Sequence, residues 1–147
     1  MGSFKTVSDV KDFFREIRKE QSEIYHLEKM IHELELSLLP KGIAYDRDRV
    51  QSSPRDNMSE VAAKAAGYSK ELNKTLSKLI DRKKKAEKLL SKLDNPDERT
   101  ILRIYYMETN NGFLYRWDDV AYHMGYEKRH ILRMHGNALN SILKSCH

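Results

Sequence analysis

The side chains whose types and spacing invite chemistry crowd into the last third of the sequence. Lys128, Arg129, His130, Arg133 and Asn137 fall within one short stretch, and from Lys128 to His147 there are four basic residues and no acidic ones. Cations and amides spaced this way along a helix can donate to phosphate oxygens and to base edges in a duplex groove. Arg116 lies shortly upstream. At the start of a helix it would act as a phosphate clamp, aided by that helix's N-terminus.

Other constellations point less far. Asp118 and Asp119 could be paired carboxylates for acid–base or metal work, but two acids in the first turn of a helix simply favour its dipole. His123, His130 and His135 are spaced seven and five residues apart, which does not stack them on one helical face, and no second cysteine accompanies them; this argues against zinc. Cys146 and His147 lack a third orienting group for nucleophilic catalysis. Phosphate-cradling glycine loops and nucleophile elbows are missing from the sequence. The expectation is a binding protein, not an enzyme, with no cofactor and no metal.

The elements that must position these residues follow from local pattern. The run Trp117 to Tyr126, followed by Glu127 to Leu139, has the steric logic of a helix-turn-helix. Val120 and Met124 point inward, and Ala121 is small where the two helices approach. Gly125 can take the positive φ of a sharp turn, and Tyr126 is placed to fill the corner. Ile131, Met134, Ala138 and Leu139 form the buried side of the second helix, leaving Lys128, Arg129, Arg133 and Asn137 on the other; His130 either faces outward or folds under Trp117. Upstream, Asn95 reads as an N-cap with Pro96 at the first helical position and Asp97 and Glu98 in the first turn. Leu102 and Tyr105 or Tyr106 face inward, and Asn110-Asn111-Gly112 signals a turn. Tyrosines 105, 106, 115, 122 and 126, with Trp117, are expected to fill a core short of aliphatic residues.

The first two thirds of the chain carry a different periodicity. Val10, Ile17, Ile24, Ile31 and Leu38 recur every seven positions, with Phe13, Leu27 and Leu34 at the companion positions and Glu20 as the one polar intruder. Ser8 reads as the N-cap, and Pro40 with Gly42 as the stop. A second heptad begins near Asn57 or Ser59, through Val61, Ala65, Tyr68, Leu72, Leu79, Ala86, Leu89 and Leu93, with Thr75 and Arg82 as weaker members. From Val7 to Leu39 the balance of charge is −3, and from Asn57 to Leu93 it is +6. Matching apolar seams of opposite charge predict an antiparallel coiled-coil hairpin over residues 1–94, with linker 40–56, followed by a small helical domain over 95–147. Parallel pairing across two chains, a homodimer through this arm, is the competing arrangement. The run Lys83-Lys84-Lys85 reads as a solvated face.

Composition agrees with an all-α class. Of 147 residues, 39% are hydrophobic and 33% charged, and only 6 glycines and 3 prolines are available to punctuate strands. A net charge of +5 suits a polyanionic partner without demanding one. The single cysteine excludes an intramolecular disulfide. No run approaches the roughly 20 apolar residues of a membrane span, so a cytoplasmic protein is expected.

The stretch Arg99 to Tyr106, with Trp117-Asp118-Asp119-Val120-Ala121, Met124-Gly125-Tyr126 and Ile131 to Leu139, resembles the region-four helix-turn-helix of bacterial sigma factors. The chain as a whole resembles the small phage and prophage proteins related to the ArpU and RinA late-gene transcription regulators. That resemblance implies a sequence-specific regulator that binds double-stranded DNA in a bacterial host. The arm would supply length, dimerisation or a surface for RNA polymerase. Glu127 stands where such motifs carry a Ser or Thr cap, and the loop Glu108 to Leu114 is longer than usual. A DNA-packaging protein of the small terminase kind, or a helical adaptor that binds protein and no DNA, would share much of this pattern.

Overall fold

The structure, a computed structural model, describes residues 4–38 and 54–147. Helix α1 spans Val7–Ser37. It starts ahead of Ser8, because Thr6 is the better cap: its hydroxyl accepts the Asp9 N–H at 3.2 Å while the Asp9 carboxylate accepts the Thr6 N–H at 3.0 Å. Helix α2 spans Pro54–Leu90. It begins before the expected Asn57 or Ser59, with Pro54 at a first-turn position where its missing N–H costs nothing. The expected stop at Pro40 and Gly42, and most of the expected 40–56 linker, lie outside the described residues.

The two long helices pack side by side and antiparallel. The Lys85 ammonium sits over the Phe13 ring at 5.2 Å, Arg82 pairs with Glu20, and Ile24 and Glu28 share a recess with Leu76 and Leu79. Position numbers rise on one helix as they fall on the other. Val10, Ile17 and Ile24 are buried in the seam against Leu79, Ala86 and Leu89, and Leu27 is buried further along α1. Further along, Ile31 and Leu34 are half-buried and Leu38 is exposed, so the seam loosens away from the C-terminal part. The polar intruder of one heptad has met the weak member of the other. Glu20 is buried, and among the described residues only one of its carboxylate oxygens finds a partner, so the Arg82 contact pins register more than it adds stability.

After α2, helix α3 (Pro96–Leu102) runs directly into a π-helical turn, Arg103–Met107. Asn95 caps α3 by accepting the Asp97 N–H at 2.8 Å. The segment expected as a long loop is a minimal hairpin, β1 (Thr109–Asn110) against β2 (Phe113–Leu114), with Thr109 opposite Leu114. Its two-residue connection, Asn111-Gly112, has φ of +53° and +89°, the paired positive values a tight hairpin turn requires. Helices α4 (Trp117–Met124) and α5 (Lys128–Ser145) complete the fold. The class is all-α, with this hairpin the one sheet among the described residues.

The core falls into two parts, divided by α3 and the π turn. Ile101 and Ile104 face Val120, Ala121, Ile131 and Met134. Leu102, Tyr106 and Met107 face the other way, joining Ala138, Leu139 and Ile142 of α5 to Val10, Phe14, Ile17, Leu90 and Leu93 of the arm. Phe14 and Gln21 lie off the coiled-coil stripe yet are buried because the C-terminal segment covers them. Burying a side chain such as Phe14 contributes about 1.5 to 3 kcal/mol, so the α5 half that docks on the arm is held by more than a linker.

Candidate nucleic-acid interface

The turn between α4 and α5 is built as the residue pattern anticipates. Gly125 has φ +75° and donates its N–H to the Ala121 carbonyl at 2.9 Å; the Tyr126 N–H reaches the same oxygen at 3.2 Å. A Cβ at position 125 would meet open space, so conformation and not room selects glycine there. Val120 and Ala121 are buried and Met124 packs at the edge of the same cluster.

Helix α5 divides lengthwise. Ile131, Met134, Ala138 and Leu139 are buried as expected, while Lys128, Arg129, Arg133 and Asn137 are exposed. The exposed line extends beyond those residues. Arg129, Arg133, Asn140 and Lys144, at intervals of four, seven and four, follow one face of the helix, and α5 contains no acid. Among the described residues Lys128 is the α5 cation with a carboxylate partner, its Nζ lying 3.4 Å from Asp118, and the Asn140 side-chain amide donates to the Gly136 carbonyl at 3.1 Å. Among the described residues Arg129 and Arg133 form no ion pair. Glu127 occupies the N-cap without a side-chain hydrogen bond to the helix, leaving its first amides without a side-chain acceptor.

Arg116 is the exposed N-cap of α4, and its backbone N–H donates to Asp119 at 2.8 Å. The two acids thus have structural uses, Asp119 at the cap and Asp118 beside Lys128. One open choice is settled and two expectations are corrected. His130 does not fold under Trp117; it is half-buried and meets Tyr126 edge-on at 4.9 Å, and the histidine beneath Trp117 is His135, at 4.6 Å. Tyr126 does not fill the corner but is exposed, donating its hydroxyl to Asp97 at 2.7 Å. Tyr122, at 92% exposure, takes no part in the core.

The family comparison covers residues 41–142, matching the family described as a protein of unknown function, DUF1492. The chain belongs to the DUF1492 family. The DUF1492 match runs through the whole of α2 and α4 and most of α5, including Arg116, Lys128, Arg129, His130, Arg133 and Asn137, and stops short of Lys144. No curated protein and no solved structure matches the chain.

Around this DUF1492 segment, α1 supplies supports that residue pattern had not brought forward. Arg18 stacks over Tyr105 at 4.0 Å, on the ring face opposite Trp117, which lies parallel to the tyrosine at 3.7 Å. The same guanidinium donates to the Tyr105 and Tyr115 carbonyls at 2.8 Å each, and Gln21 donates to the Tyr106 carbonyl at 3.0 Å. The Tyr105 and Tyr106 carbonyls close the π turn and Tyr115 lies between β2 and α4; carbonyls left unpaired at a helix end need outside donors, and here the arm provides them for all three. The available signal was the spacing of Lys11, Arg15 and Arg18, three cations on one face of a helix otherwise rich in acids.

Proposed function

We propose that the protein is a double-stranded DNA-binding regulator whose helix-turn-helix is α4, the Gly125 turn and α5. The observation that carries this reading is the acid-free exposed face of α5, where Arg129 and Arg133 stand without carboxylate partners among the described residues, on a helix whose opposite face is committed to the core. A second helix presented this way suits entry into a major groove, with base edges met by its first turns and phosphates by flanking cations. Arg129, Arg133 and Asn137 are assigned to groove contact. Lys128, His130 and Arg116 flank them toward the backbone, and Lys128 reaches phosphate by leaving Asp118. The sigma-like and ArpU/RinA-like resemblance supports a role in transcription of phage or prophage genes, with RNA polymerase and a second copy of the arm as further partners.

The test is immunoprecipitation of DNA bound to the tagged protein in cells, followed by titration of an enriched duplex at several salt concentrations. Affinity should fall with a log–log slope of roughly −0.9 per phosphate neutralised. Arg129→Ala with Arg133→Ala should weaken binding by about 1 to 3 kcal/mol for each bidentate base pairing removed. Undiminished binding by the double variant would remove α5 from the interface.

A second reading, protein docking without DNA, is favoured by two exposed aromatic residues. Phe113 on the hairpin and Tyr122 on α4, at 67% and 92% exposure, line the same shallow recess. Absence of any enriched DNA, together with a co-purifying partner that Phe113→Ser no longer retains, would select it.

A further inference from the structure

We infer that the recess between α1 and the first half of α5 is a binding site for a single phosphate group. Tyr105 of the π turn, Trp117 of α4, and Leu132 and His135 of α5 wall it on one side. Lys11, Arg15 and Arg18 of α1 form the other. Among the described residues no carboxylate lines the recess. Three cations are therefore gathered beside an aromatic surface, and an anion seated among them would relieve their mutual repulsion.

Two of the three cations, Lys11 and Arg15, have donors to spare. Arg18 is committed to the Tyr105 and Tyr115 carbonyls and contributes mainly its charge. Lys11 has no acidic partner among the described residues, and Arg15 has only a long surface contact with Asp12 at 3.8 Å. Burial first, then the nearby charges of Lys11 and Arg15, hold His135 in its neutral form with a pKa of about 4. The field that disfavours a proton there favours an anion.

Size sets the ligand class. The recess holds about 190 Å³, the liquid volume of roughly six waters and below the roughly 300 Å³ at which drug-sized ligands begin to fit. The recess encloses a phosphate group but not a whole nucleotide. Arginine and lysine together match a phosphate's several acceptor oxygens. Because Leu132 lies between Arg129 and Arg133 in the sequence of α5, a phosphate held here would stand next to the proposed reading face. The group has two sources: a phosphodiester of the duplex, which rests on the DNA reading above, or a free phosphate or phosphorylated small molecule, which does not.

Trp117 is the only tryptophan in the chain, so its emission comes from one side chain that lines the recess. Inorganic phosphate, titrated against chloride at matched ionic strength, should change that emission saturably. Lys11→Gln with Arg15→Gln, two substitutions outside the core that keep good helix formers, should raise the midpoint at least about tenfold. In a parallel arm, anisotropy of a labelled duplex measures DNA binding independently of Trp117. If the double variant weakens duplex binding and lowers the salt slope by about one to two, the duplex is the source. If the variant raises the phosphate midpoint but leaves duplex binding unchanged, the ligand is a free phosphate. Saturable phosphate binding without any duplex binding would uphold the site and end the DNA reading. Duplex binding with Trp117 silent toward both phosphate and duplex, or a phosphate midpoint unchanged in the variant, would overturn the site and leave the DNA reading standing.

Discussion

The hydroxyl of Tyr106 lies 2.7 Å from Nε2 of His135, joining the π turn to α5 in the interior of the protein. Both side chains are buried, Tyr106 to 1% and His135 to 7% exposure, and burial raises the Tyr106 pKa while lowering that of His135 to about 4. The pair is neutral, so each group satisfies the other without an internal charge.

This pair makes the protein sensitive to mild acid. A histidine whose folded pKa lies below its unfolded value of about 6.5 contributes stability that is complete above the unfolded pKa and is lost as pH falls toward the folded one. Urea unfolding at pH 7 and at pH 4.5 should show a loss of about 2 kcal/mol assignable to His135. His135→Leu should be less stable at pH 7, because the Tyr106 hydroxyl is left without its partner, and should lack that component of the pH dependence. An identical pH dependence in wild type and variant would contradict the assignment.

Glu20 and Arg82 should behave as a register device. Glu20→Ala leaves Arg82 with no carboxylate in the seam, and with Arg82 about a third exposed the cost should be moderate, about 1 to 2 kcal/mol. Glu20→Leu with Arg82→Leu should restore or exceed wild-type thermal stability. Cysteine crosslinking between α1 and α2 should then report more than one register, where the wild type gives one.

Gly112 meets two constraints. Its φ is +89°, and a Cβ would overlap the ring of Tyr25 on α1. Gly112→Ala should destabilise by about 1 to 3 kcal/mol. Adding Tyr25→Ala should recover the steric share and leave the backbone share, a non-additivity that a double-mutant cycle measures directly.

Glu127 caps α5 poorly and carries a charge that opposes phosphate. Glu127→Ser should stabilise the protein by about 0.5 to 1 kcal/mol through a side-chain acceptor for the first turn. On the DNA reading it should also tighten duplex binding. Thermal unfolding checks the first effect, and anisotropy the second.

Much of this protein was legible in one dimension, because short-range periodicity and punctuation determine it. The heptads of α1 and α2 announced two long helices, Asn95-Pro96 the start of α3, and Gly125 the turn before α5. The division of α5 into an apolar side and a basic side follows from spacing alone. Tertiary structure decided what spacing cannot encode. His135, not His130, came to lie beneath Trp117. Tyr122 and Tyr126 stayed outside the core, since aromatic residue type does not say which face the partner helix will cover. Phe14, Gln21 and Arg18 acquired their roles only when the C-terminal helices docked on α1; the Gln21 and Arg18 partners lie 85 and 97 residues away along the chain, a distance over which no local pattern operates. The phosphate-sized recess is the product of that docking: its cations come from α1 and its aromatic walls from the π turn, α4 and α5, and neither set forms a site alone.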